Sequence, residues 1–124
     1  MAVIHTPSEA THDLGGTRFK TLVSPTRGAR ETSIWEVEIA PGTVPTPHSL
    51  TREEVFVVLA GTASVRIESA HEVAVSGDAI VIPASVRFEL ANAGSTPLRL
   101  LCCMPVGGQA VTDDGSAFTP PWAQ

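Results

Sequence analysis

Residues 42–61 read GTVPTPHSLTREEVFVVLAG, and residues 77–92 read GDAIVIPASVRFELAN. Each stretch holds short runs rich in β-branched and aromatic residues between glycines and prolines, which is the pattern of strands between turns. Glu54–Leu59 and Ala79–Ile82 are such runs, and Val86–Ala91 is a third. Gly61 ends the first and opens a hairpin into Ala63–Glu68, while Gly77-Asp78 supplies a tight turn that calls for positive φ. Pro83 closes the Ala79–Ile82 run, where its missing N–H does least harm.

The same punctuation continues outward. Arg18–Val23, Thr32–Ile39, Glu72–Val75 and Leu98–Met104 complete a set of short strands, and no helical periodicity persists anywhere. Many short strands separated by Gly, Pro, Ser and Asn predict an all-β sandwich or barrel. One domain of 124 residues is expected, with residues 1–15 as an N-terminal arm, 16–106 as the barrel and 107–124 as a tail. The tail's Phe118 and Trp122 are expected to staple it onto the barrel, and Asp113 and Asp114 to be solvated turn charges.

Composition narrows the function. The chain is 43% hydrophobic and only 17% charged, which suits extensive burial within the domain or between subunits. A net charge of −5 argues against nucleic acid or an anionic membrane as partner. No apolar run approaches the ~20 residues of a membrane span. The start, MAVIHTPSEATHD, is polar and acidic rather than a signal peptide, so a cytoplasmic location is expected. Cys102 and Cys103 are adjacent in one strand, point to opposite faces and read as small buried hydrophobes rather than a disulfide. Tyrosine is absent, which removes tyrosyl acid chemistry.

Two sets of landmarks carry a family resemblance. Gly42, His48, Leu50, Glu54 and Gly61 form the first; Gly77, Pro83, Ser85, Phe88 and Asn92 form the second. Their spacing resembles the two motifs of the cupin superfamily, which read Gly, His, His, Glu, Gly and Gly, Pro, Gly, His, Asn. The resemblance covers about Arg18 to Met104. It implies a double-stranded β-helix, a jelly-roll barrel with a pocket between its sheets, and a homodimer in which Arg18–Val23 is the candidate for an exchanged strand. It also implies a divalent metal on three His and one Glu. Leu50 and Phe88 occupy two of those positions here, leaving His48 and Glu54. No cofactor is therefore expected, or at most a weakly held divalent metal on His48 and Glu54.

Strand alternation places Glu54 and Phe56 on one face, with His48 and Leu50 at matching parity. Phe88 and Leu90 share a face, as do Trp35, Val37 and Ile39, and Leu98, Leu100, Cys102 and Met104. The expected substrate-binding residues are thus Trp35, Leu50, Phe56, Phe88, Leu90, Cys102 and Met104, around a catalytic pair of His48 and Glu54. Desolvation in such a pocket raises the pKa of Glu54, and a direct hydrogen bond to His48 would oppose that shift. The leading expectation is an isomerase, lyase or cyclase that moves protons without metal on an apolar or aromatic, natural-product-like substrate. The alternatives are a non-catalytic binder of an apolar small molecule, and a metal-dependent oxygenase or isomerase using His48 and Glu54 with further ligands.

Overall fold

The computed structural model describes residues 2–124. Twelve strands form: β1 (His12–Leu14), β2 (Thr17–Val23), β3 (Thr32–Ile39), β4 (His48–Leu50), β5 (Glu54–Ala60), β6 (Thr62–Ile67), β7 (Ala70–Val75), β8 (Ala79–Ile82), β9 (Phe88–Asn92), β10 (Leu98–Pro105), β11 (Ala110–Thr112) and β12 (Ala117–Phe118). They make two six-stranded antiparallel sheets, ordered β1-β2-β3-β10-β5-β8 and β12-β11-β4-β9-β6-β7. This is the expected jelly roll. Among the described residues no helix is long and apolar enough to cross a membrane.

The alternation read from sequence decides which side of each strand faces the core. Trp35, Val37 and Ile39 of β3, Phe56 and Val58 of β5, and Leu98, Leu100, Cys102 and Met104 of β10 are all buried between the sheets. Glu36 and Glu38 point the other way, and each lies 3.6 Å from an arginine, Arg99 and Arg18 respectively. These ion pairs are surface pairs of small energetic consequence.

Both ends of the chain are built into the sheets. The arm contributes β1, which pairs with β2, and β2 in turn pairs with β3 of the same chain. The tail contributes β11 and β12, which extend the second sheet beyond β4. It then crosses to the first sheet, where Thr21 Oγ1 donates to the Trp122 carbonyl at 2.7 Å and Ser33 Oγ to that of Ala123 at 2.8 Å. Trp122 stacks on Phe19 with ring centroids 3.6 Å apart. Asp113 is not merely solvated, because Arg87 holds it through two hydrogen bonds of 2.9 and 3.0 Å. Asp114 instead caps its own turn, accepting from Thr112 Oγ1 and the Ser116 N–H.

Three motif positions have structural work. Gly61 has φ +87°, and a Cβ there would lie 2.8 Å from the Pro97 carbonyl oxygen, so only glycine fits. Asn92 donates from Nδ2 to the carbonyls of Ile39 and Thr96 at 2.9 and 2.8 Å and accepts from the Gly94 N–H at 2.8 Å. It thereby ties β9 of the second sheet to β3 of the first. Ser85 stands at φ +66°, a left-handed conformation that costs a non-glycine residue about 1–2 kcal/mol. Its N–H nonetheless donates to the Leu50 carbonyl at 2.7 Å, which joins the two motifs.

Two substitutions test this framework by denaturant unfolding. Ser85→Gly is expected to stabilise by about 1 kcal/mol, by relieving the positive φ. Asn92→Ala is expected to destabilise by about 2 kcal/mol, because it strands the part-buried Ile39 carbonyl and removes two further hydrogen bonds. Equal stability of both variants and the parent would contradict the assignment.

Candidate functional site

Between the sheets lies a cavity of about 360 Å³. One wall comes from the first sheet: Phe19, Trp35, Val37, Ile39, Glu54, Phe56 and Leu100. The other comes from the second: His48, Leu50, Phe88, Leu90, Ala110, Thr112 and Phe118. Leu14, Val44, Pro45, Pro120 and Trp122 extend the lining outward. A larger open groove of about 610 Å³ lies beside the N-terminal segment. Its charged residues include the Arg18–Glu38 and Arg99–Glu36 pairs, which already satisfy one another, so it reads as surface relief.

The cavity brings together most of the expected residues: His48, Glu54, Trp35, Leu50, Phe56, Phe88 and Leu90 all line it. Cys102 and Met104 do not. They share the inward face of β10, but they sit at 0% and 1% exposure, filling the core rather than the cavity wall. Alternation reports the face a side chain points to and not how deep it ends. The wall supplied by the tail, Thr112, Phe118, Pro120 and Trp122, was missed, because short strands after a Gly-Gly turn carry little periodic signal.

Glu54 and His48 belong to different sheets and line the cavity from its two sides. Glu54 opens β5 opposite Ile82 and is buried. Among the described residues neither a hydrogen bond nor an ion pair joins it to His48. Its carboxyl is pushed up to about 8 by desolvation. Its charge is felt by the Cys102 and Cys103 thiols, whose own pKa values are raised first by burial and then by Glu54.

His48 opens β4, opposite Phe88 of β9 and Thr112 of β11. Its ring packs against that of Phe88 at 4.6 Å and 52°. Nδ1 lies 2.8 Å from the Thr46 carbonyl oxygen. A carbonyl can only accept, so Nδ1 carries the hydrogen, which leaves Nε2 as the nitrogen able to accept.

Residues 35–104 match the Cupin_2 family model, a cupin domain. The chain is a cupin. Uncharacterized protein MJ1618 from Methanocaldococcus jannaschii is 32% identical over 53 residues, 43% of this chain and 42% of its own length. This chain therefore spans less than half of that relative. Among solved structures, the polyketide cyclase RemF from Streptomyces resistomycificus superposes with a TM-score of 0.72 at 20% identity, covering 95% of this cupin and 82% of RemF. A sugar phosphate isomerase of the cupin superfamily from Silicibacter pomeroyi gives 0.67 at 19% identity, covering 80% and 66%. At these identities the likeness is one of fold.

The family implies a metal, and the donor set here does not fit one of that kind. The carbon side chains of Leu50 and Phe88 stand where two imidazoles would be, both at 2% exposure. Among the described residues no three His, Cys, Asp or Glu side chains converge. Two of the three other histidines are engaged elsewhere: His71 pairs through Nε2 with Ser64 Oγ at 2.7 Å, and His12 through Nδ1 with Thr11 Oγ1 at 2.9 Å.

The raised pKa of Glu54 links folding to pH. Below about 4.5 both folded and unfolded chains hold the proton, and the neutral carboxyl is buried at least cost. Between about 4.5 and 8 the unfolded chain releases it while the folded chain retains it, so stability falls as pH rises through this window. Glu54→Gln is expected to raise the melting temperature most at pH 9 and least at pH 5. An unchanged pH profile in that variant would place the titration elsewhere.

Proposed function

We propose that this cupin catalyses a metal-independent proton transfer on an uncharged, apolar or aromatic substrate, as in an isomerisation, dehydration or cyclisation. One observation carries the reading: a buried carboxyl and an imidazole Nε2, neither with a hydrogen-bond partner among the described residues, line one largely apolar cavity from opposite sheets. A ligand seated between them has a base on one side and an acid on the other. His48 Nε2 takes a proton from carbon alpha to a carbonyl as the Glu54 carboxyl protonates the carbonyl oxygen, giving an enol. Return of the protons at a different position, or closure of the enol carbon onto a second carbonyl, completes the isomerisation or the ring. The neutral state of Glu54 suits it to the acid's role.

Charge narrows the substrate. Among the described residues no Lys or Arg lines the cavity to balance a phosphate or carboxylate. The site is thus ill suited to a substrate like that of the sugar phosphate isomerase. The aromatic lining of Trp35, Phe56 and Phe88 supports a planar, polyketide-like molecule, a class that the likeness to RemF also suggests. A homodimer is part of the proposal, consistent with the low charge content of the chain.

The test uses 2-tetralone, an uncharged bicyclic ketone, and follows α-proton exchange with deuterium by NMR. The protein is expected to accelerate exchange, and Glu54→Gln and His48→Ala each to lower the rate by about 100-fold or more while the fold is retained. Tight binding without exchange would favour a carrier of apolar ligands instead, and exchange undiminished in Glu54→Gln would remove the acid assigned here.

A further inference from the structure

Three of the large apolar side chains that the chain leaves exposed are also cavity-lining residues: Leu14 at 61%, Val44 at 84% and Phe118 at 42% exposure. They come from three separate segments, the tip of the β1–β2 hairpin, the loop before β4 and strand β12. Being both exposed and cavity-lining, they form an apolar collar where the cavity meets solvent.

The collar is held in place. Gly16 of the hairpin turn packs so closely on Thr43 that a Cβ there would collide with the threonine hydroxyl. The Ala40 N–H donates to the Gly16 carbonyl at 2.8 Å, and Thr43 Oγ1 donates to the Ala40 carbonyl at 2.8 Å. The hairpin carrying Leu14 and the loop carrying Val44 are thus fastened to each other. Phe118 is positioned by pairing of β12 with β11, in register with Ala110. Fixed apolar side chains facing water forfeit favourable burial, roughly 25 cal/mol for each Å² left exposed. A ligand that emerges from the cavity recovers it.

We infer that the collar of Leu14, Val44 and Phe118 is a second binding subsite, which grips an apolar arm of a ligand whose head occupies the cavity. The ligand is therefore elongated, with an uncharged head and an alkyl or aryl extension. The collar is continuous with the cavity wall, and among the described residues no Lys or Arg lines either part. This rests on the cavity being the ligand site, but not on Glu54 acting as an acid.

The probes are phenol and 4-alkylphenols from butyl to decyl, with binding read from the fluorescence of Trp35 and Trp122, both of which line the cavity. In the parent protein affinity is expected to keep rising, roughly two- to fourfold per methylene, after the chain has outgrown the cavity. In Leu14→Ser/Val44→Ser/Phe118→Ser the rise is expected to stop there, so that the loss of affinity against the parent grows with each further methylene. Gly16→Ala keeps all three side chains but displaces the hairpin from the loop, and it should flatten the same late steps. Glu54→Gln should leave them intact, so loss of exchange with retained chain-length steps separates the acid's role from the collar's. Equal steps in the parent and the triple variant would overturn the subsite. So would conversion of a dimer to a monomer in the triple variant by sedimentation, since the collar would then be a contact between copies of the chain.

Discussion

Burying the carboxyl of Glu54 without a partner is the constraint around which the rest of this structure is arranged. Moving such a group away from water costs several kcal/mol if it is charged, and the group responds by holding its proton. Its pKa rises to about 8 for this reason alone. The surrounding barrel must keep the two sheets apart at that point, or the cavity would collapse and the carboxyl would be forced out. Asn92 fastens the sheets to each other on one side. The tail, latched by Thr21 and Ser33, fastens them on another.

The replacement of two imidazoles by Leu50 and Phe88 changes what the remaining pair can do. In a metal centre a carboxylate must be ionised and an imidazole must offer its lone pair to the cation. Here the same two residue types lie in a largely apolar setting, with carbon side chains at the other two positions. Glu54 is favoured as a neutral donor, and His48, pinned through Nδ1, as an acceptor at Nε2. The polarity of the site is thus set by burial on one side and a single backbone carbonyl on the other.

Much of this was legible in the sequence. Period-two alternation placed Trp35, Val37 and Ile39, and Glu54 and Phe56, on the inward face, and burial follows it residue by residue. The motif spacing located the His48–Glu54 pair and the turns at Gly61 and Gly77. The same alternation could not separate core from cavity, so Cys102 and Met104 were grouped with residues that do reach the lining. Strands β1, β4, β11 and β12 are only two or three residues long, too short to show a period. Their pairing is set by tertiary contacts, and with them went the collar and the outer wall of the site. The lack of a bond between His48 and Glu54 was equally invisible, since parity does not say which sheet a side chain hangs from.

The most direct test of the central claim is a carbon-13 NMR titration of the Glu54 side-chain carboxyl in the folded protein. The midpoint is expected near 8, against the ordinary carboxyl value of 4.5, with the fold intact throughout. A midpoint near 4.5 would mean that Glu54 is ionised at neutral pH, and it would contradict both the dry cavity and the acid's role.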